Sequence, residues 1–186
     1  MIDQMFYADL EDRMKKTVEA LRREFTTVRT GRASPALLDR VTVEAYEEQM
    51  PLKQVANISI PEARLIVIQP WDASLLGAIE KAIQKADIGI NPNNDGKIIR
   101  LAVPALTEER RRDLVKVIKK KAEESKVAVR NIRRDAMEEL KAFEKNGSAS
   151  KDDVHRAQKE VDKVTDKYVK ELDTATAGKE TEIMEL

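Results

Sequence analysis

Apolar residues recur every third or fourth position over two long stretches of the chain and alternate over the stretch between them. From Asp3 to Arg29, the positions Phe6, Leu10, Met14, Thr17, Leu21, Phe25 and Val28 make one stripe of a helix. A second stripe runs from the neighbourhood of Thr107 through Leu114, Ile118, Ala122, Ser125, Val129, Ile132, Ala136, Leu140 and Phe143. The run Lys145-Asn146-Gly147-Ser148 ends it by C-cap chemistry. Ser150 or Asp152 caps a third helix with Val154, Gln158, Val161, Thr165, Tyr168, Leu172 and Ala175 on its apolar side. A helix with one apolar stripe must bury it against a partner, so three of them predict a three-helix bundle. The short Asn146-Gly147 turn makes the second and third helices antiparallel. An intermolecular coiled coil is the alternative use of the same stripes.

All six prolines, at 35, 51, 61, 70, 92 and 104, lie in the middle of the chain. Proline breaks a helix interior, so the flanks are free to be helical and the middle is not. Val41–Tyr46, Val55–Ile60, Arg64–Ile68 and Ile98–Val103 read as strands. Asp72 or Ser74 caps a short helix with Leu75, Ile79, Ala82, Ile83 and Ala86 inward, and Asn94-Asp95-Gly96 is a turn. Trp71, at the corner between strand and helix, is expected to anchor this unit. The expectation is an α+β protein: a long three-helix bundle from residues 1–30 and 105–186, with a small β/α/β domain inserted over 31–104. Chain crossings at Thr30-Gly31-Arg32 and Val103-Pro104-Ala105 predict a hinge between them.

The chain has 186 residues with 34 Lys+Arg and 34 Asp+Glu, so its net charge of zero excludes a uniformly basic coat. The distribution is uneven. Residues 110–134 hold eleven basic positions against three acidic ones, a local balance of +8. Residues 146–186 hold seven basic and ten acidic, a balance of −3. Within the basic run Lys126, Arg130, Arg133 and Arg134 sit on successive turns, a spacing suited to a phosphate backbone. Base-stacking aromatics are missing from the run. The bland alternative is a solvated helix face whose arginines pair with neighbouring acids.

The absence of cysteine excludes thiolate metal sites and disulfides, and the single histidine, His155, excludes a multi-histidine metal site. Asn94-Asp95-Gly96 lacks the glycines and lysine of a phosphate-binding loop. No convergent catalytic set can be assembled, so the expectation is a protein that is not an enzyme. No apolar run reaches the length of a membrane span, and the N-terminal residues do not form a secretory leader, so the expected location is the cytoplasm.

Four segments carry a family resemblance in order and register. Arg29-Thr30-Gly31-Arg32-Ala33-Ser34-Pro35 is similar to the signature that ribosome recycling factors carry at the end of their first helix. Asn91-Pro92-Asn93 with Ile99-Arg100 resembles the end of their small domain. Pro104-Ala105-Leu106-Thr107-Glu108-Glu109-Arg110-Arg111 resembles the return of the chain into their bundle. Residues 127–136, Val127 to Ala136, resemble the basic stretch of their central helix.

The resemblance implies an L-shaped outline like that of a transfer RNA. It implies a translation factor that binds the post-termination ribosome and, with elongation factor G and GTP hydrolysis by that partner, splits it into subunits. It implies contact with the large ribosomal subunit and its rRNA, no cofactor of its own, and a monomer. On this chain it points to Arg130 and Arg133 as rRNA contacts, then Arg111 and Arg134, then Arg29 and Arg32. The competing reading is a non-catalytic helical-bundle adaptor or chaperone that binds protein partners through its charged faces. A general duplex nucleic-acid binder is disfavoured by the zero net charge.

Overall fold

In the computed structural model, which describes residues 1–185, the elements in chain order are α1 (Gln4–Thr26), β1 (Thr42–Ala45), β2 (Glu48–Pro51), α2 (Leu52–Val55), β3 (Ala56–Glu62), β4 (Leu65–Pro70), α3 (Leu76–Lys85), β5 (Pro92–Asn94), β6 (Ile99–Ala102), α4 (Glu108–Lys145) and α5 (Lys151–Met184). The chain divides into two compact units, Met1–Arg29 with Glu108–Glu185, and Thr30–Thr107. Among the described residues, no helix is long and apolar enough to cross a membrane.

The first unit is the three-helix bundle of α1, α4 and α5. Asp3 caps α1 by accepting the Met5 N–H, and Ser150 caps α5 by accepting that of Asp153. Gly147, at φ 78, turns the chain between α4 and α5 while the Asn146 side chain accepts the Ser148 N–H at 2.9 Å. Cross-helix pairs give the directions. Arg133 meets Asp162 and Lys126 meets Asp173, so numbers fall on α5 as they rise on α4. Arg13 meets Asp135 and Glu24 meets Lys121, so α1 is also antiparallel to α4.

The buried stripe differs in phase from the expected one at a few positions. On α1 Val18 is buried and Thr17 half-buried; on α5 Ala157, Val164 and Thr176 are buried where Gln158 and Ala175 are only half-buried. Thr165 and Thr176 enter the core because each hydroxyl donates to the carbonyl four residues back, Val161 and Leu172, at 2.7 Å. A hydroxyl satisfied within its own helix leaves no unpaired polar group inside.

The second unit has two antiparallel sheets, β1-β2 and β3-β4-β6-β5. Its core joins Ile66 and Ile68 of β4, Ile99 and Leu101 of β6, and Ile79 and Ile83 of α3 with Val43, Leu38 and Leu52. Strands β2 and β5 and the short α2 were not legible in the sequence. The β1-β2 hairpin turns on Tyr46 and Glu47, both at positive φ (53 and 65), without the glycine or asparagine that usually marks such a turn. Non-glycine residues there cost about 1–2 kcal/mol each. The expected Trp71 anchor is also overturned. Its ring is 69% exposed, although its N–H donates to the Val55 carbonyl at 3.0 Å. The reason is strand parity: Ile66 and Ile68 point inward, so an odd-numbered residue following β4 points out.

Asp95 holds the β5-β6 turn. Its carboxylate accepts the Lys97 and Ile98 N–H groups at 2.9 Å and pairs with Arg100 at 2.7 Å. The Ile98 and Lys97 bonds, followed by Arg100, lower its pKa from 3.8 to about 2. A depressed acid stabilises the fold above its unfolded pKa and loses that contribution as pH falls through the folded value. The contribution of Asp95 should therefore be complete above about pH 4 and fade toward pH 2. An NMR titration of its side-chain carboxyl should give a midpoint near 2; a midpoint near 4 would show that the turn does not hold it.

Two glycines make opposite predictions. Gly31 sits at φ 77, and an added Cβ would stand 3.3 Å from Leu106 Cγ. Gly31→Ala should destabilise the protein by about 1–2 kcal/mol. Gly178 lies within α5, where an added Cβ meets nothing within 4 Å, so Gly178→Ala should stabilise by about 0.5–1 kcal/mol. Urea unfolding followed by circular dichroism measures both, and equal effects would contradict the contrast.

Candidate nucleic-acid interface

The basic run of the sequence becomes the N-terminal two-thirds of α4, and the helix sorts its cations by angle. At about 100° per residue, Lys116, Lys119, Lys120, Arg130 and Arg134 fall in a wedge roughly 100° wide on the side opposite the buried stripe. All five are exposed. From Lys116 to Arg134 they extend over about 27 Å of helix at 1.5 Å per residue. Lys116, Lys119, Lys120 and Arg130 make no hydrogen bond or ion pair with any described residue. Arg134 meets only the Asn131 side-chain oxygen, at 3.3 Å.

The cations flanking this wedge are spent inside the protein. Lys126 pairs with Asp173 of α5 at 2.6 Å and with Glu123 at 3.4 Å, and the Asp173 bond raises its pKa. Lys121 pairs with Glu24 of α1 at 3.3 Å. Arg133 gives its Nε to Asp162 at 2.7 Å. That is a half-exposed pair worth at most about 1 kcal/mol, and it leaves both terminal nitrogens of the guanidinium without a bond among the described residues. Arg111 turns inward, and one terminal nitrogen donates to the Met184 carbonyl at 3.1 Å while its Nε is buried without a partner. A cation at the last carbonyls of α5 serves as a C-cap.

The structure thus brings Arg130, Arg133 and Arg134 to one side of α4 and uses Arg111 as a cap. Arg29, just past α1, is exposed. Arg32 is exposed and holds no carbonyl or carboxylate of the described residues. Lys116, Lys119 and Lys120 were visible as charges in the sequence but not singled out. The signal that finds them is their helical phase relative to Leu114 and Ile118.

Nothing else in the described residues converges on chemistry. No three His, Asp or Glu side chains are placed to hold a metal. His155 is exposed on the first turn of α5. A groove of about 690 Å³ between the β1-β2 hairpin and α3 is open and lined by Gly77, Ala78, Ala82 and Ala86 with Arg40, Lys81, Lys85 and Glu44 around them. It holds no general acid–base pair.

The described residues form an α+β protein, a three-helix bundle with one cationic helix face joined in sequence to a small antiparallel α/β unit. Residues 21–184 match the family described as Ribosome recycling factor. The chain is 54% identical to the ribosome-recycling factor of Syntrophomonas wolfei, with 96% of this chain and 97% of that one covered. It is 55% identical to the ribosome-recycling factor of Bacillus subtilis, with 95% of each covered. A solution structure of a ribosome recycling factor is similar at a TM-score of 0.75 and 42% identity, with 100% of both chains covered. A second solved structure, at TM-score 0.63 and 43% identity, covers 99% of this chain and 100% of the other. It is described as models for the T. thermophilus ribosome recycling factor and the E. coli elongation factor G bound to the E. coli post-termination complex. The chain belongs to the ribosome recycling factor family. Its members are translation factors with no catalysis of their own.

The cap role of Arg111 has its own test. Arg111→Ala should speed hydrogen exchange in the last turn of α5 and lower stability by about 1 kcal/mol. Exchange unchanged at those amides would remove the cap.

Proposed function

We propose that this protein binds the post-termination ribosome in the cytoplasm and, as a monomer acting with elongation factor G, splits it into subunits, the GTP being hydrolysed by that partner. The bundle docks on rRNA of the large subunit, with Arg130, Arg133 and Arg134 on phosphates; Arg29 and Arg32 are further candidates for rRNA contact, whereas Arg111, expected from the resemblance, is committed to the α5 cap. The observation that carries this reading is the line of unspent cations on α4. Lys116, Lys119, Lys120 and Arg130, left without a bond among the described residues on one helix side of a protein with zero net charge, are available to an anionic partner. The missing aromatics match a contact that reads backbone rather than bases. The solved relative described with elongation factor G on a post-termination complex supports the choice of partners.

Thr30-Gly31-Arg32 and Val103-Pro104-Ala105 serve as the hinge of this mechanism. Within the small unit, the Ala33 N–H donates to Ala63 at 2.7 Å and that of Val103 to Arg64 at 2.8 Å. These bonds tie both crossings to the β3-β4 turn. A swing of the small unit then bends the chain between these anchors and the bundle, through Thr30-Gly31-Arg32 on one crossing and Pro104-Ala105 on the other.

Light scattering of post-termination ribosomes with the protein, elongation factor G and GTP tests the function. The expected result is a drop in scattering that needs all three. Arg130→Glu is the cleaner interface probe, because Arg130 has no bond within the described residues, whereas Arg133→Glu would face Asp162. Arg130→Glu should weaken large-subunit binding roughly tenfold and make the salt dependence shallower by about one ion. Unchanged affinity and salt slope would withdraw Arg130 from the contact.

A further inference from the structure

Of the seven aromatic side chains in the chain, two are turned to solvent. Trp71 is 69% exposed and Tyr46 is 68% exposed, while Phe6, Phe25 and Tyr168 are buried and Tyr7 and Phe143 partly so. Both lie in the small unit, and the Tyr46 side chain reaches the residue next to Trp71 in the chain. The Tyr46 hydroxyl donates to Asp72 at 2.9 Å, and Asp72 follows Trp71 in the chain. Asp72 is itself fixed, since its other oxygen accepts the Ser74 N–H and hydroxyl at 2.9 and 2.7 Å. The Tyr46 backbone is held at positive φ in a two-residue turn. The Tyr46 ring is thus exposed but oriented, which reduces the freedom it would lose on being covered.

Three carboxylates stand next to these aromatics in the chain or by contact: Glu47 and Glu48 are exposed and follow Tyr46, Asp72 takes the Tyr46 hydroxyl and follows Trp71, and none of the three pairs with a cation among the described residues. Two other carboxylates of the unit do find cations, Asp39 with Lys53 and Asp95 with Arg100. A phosphate backbone would be repelled here. A purely apolar partner would strip water from carboxylates and return nothing. A guanidinium or ammonium satisfies both features, because it stacks on the face of an indole or phenol and pairs with a carboxylate.

We propose that Tyr46, Trp71 and the carboxylates of Glu47, Glu48 and Asp72 form a docking surface for an arginine- or lysine-rich polypeptide segment. The surface is separate from the cationic side of α4 and opposite to it in charge. It needs no ribosomal role for the protein, so its test stands apart from the splitting assay.

Trp71 is the only tryptophan, so the full-length protein gives one indole N–H resonance. The probe is a capped twelve-residue peptide of alternating arginine and serine, titrated at low salt and compared with the same peptide carrying glutamate for arginine. The expected result is a saturable shift of the indole resonance with the arginine peptide alone, reversed by salt. The double variant Glu47→Gln, Glu48→Gln, at exposed positions that leave the fold unchanged, should weaken the arginine peptide about threefold or more. A silent indole resonance up to millimolar peptide, or equal binding by the double variant, overturns the proposal. So does an equal indole shift on adding a twelve-nucleotide single-stranded RNA, which would make the surface an RNA contact instead.

Discussion

A helix with a single apolar stripe is not stable alone in water, and all three helices of the bundle are of this kind. Everything else in that unit depends on their mutual burial. Met14, Ile118, Leu140, Val161 and Leu172 are almost completely shielded only because each helix covers the other two. The stripe also decides which charges remain available. Residues beside it, such as Lys126, Arg133 and Arg111, fall within reach of α5 and are tied there. Residues half a turn away are left facing water. Packing therefore sets most of the division of α4 cations into spent and unspent, with Arg112 as the exception, paired with Glu108 on the solvent side of its own helix.

The small unit obeys the same logic with a period of two. Ile66 and Ile68 commit β4 to one orientation, and that choice sends Trp71 outward despite its size. A large aromatic residue at a corner invites the guess that it is an anchor. The unit does not need it, because the isoleucines of β4, β6 and α3 already fill the core.

Long periodic segments were the most legible. The bundle helices, the Ser150 cap and the Gly147 turn follow from spacing and cap chemistry that act locally. Thr165 of α5 was visible as part of a stripe and Thr176 was not, nor were the hydroxyl bonds that allow both inside. Strand β2 was hidden because its turn uses Tyr46 and Glu47 in a conformation those residues rarely adopt. In the interface, Arg130 and Arg134 could be named from charge and resemblance. That Arg111 faces Met184 could not, because the contact joins residues 73 apart in sequence. Such pairings are decided by tertiary geometry, and a linear charge count gives every arginine the same weight.

The cross-helix pairs have a further consequence. Arg111 with Met184, Lys126 with Asp173 and Arg133 with Asp162 sit far apart along the α4–α5 seam, yet all belong to nearly the same alignment. Apolar stripes of similar spacing tolerate sliding by one turn, since one aliphatic side chain fills another's place. The polar rungs do not. A slip of four residues would leave Lys126 opposite Val169 or Ala177, with only Glu123 of its own helix to answer its charge. The rungs add little to stability individually, but together they penalise every neighbouring alignment. They act as a vernier that keeps two long, smooth rods from gliding past each other under axial load.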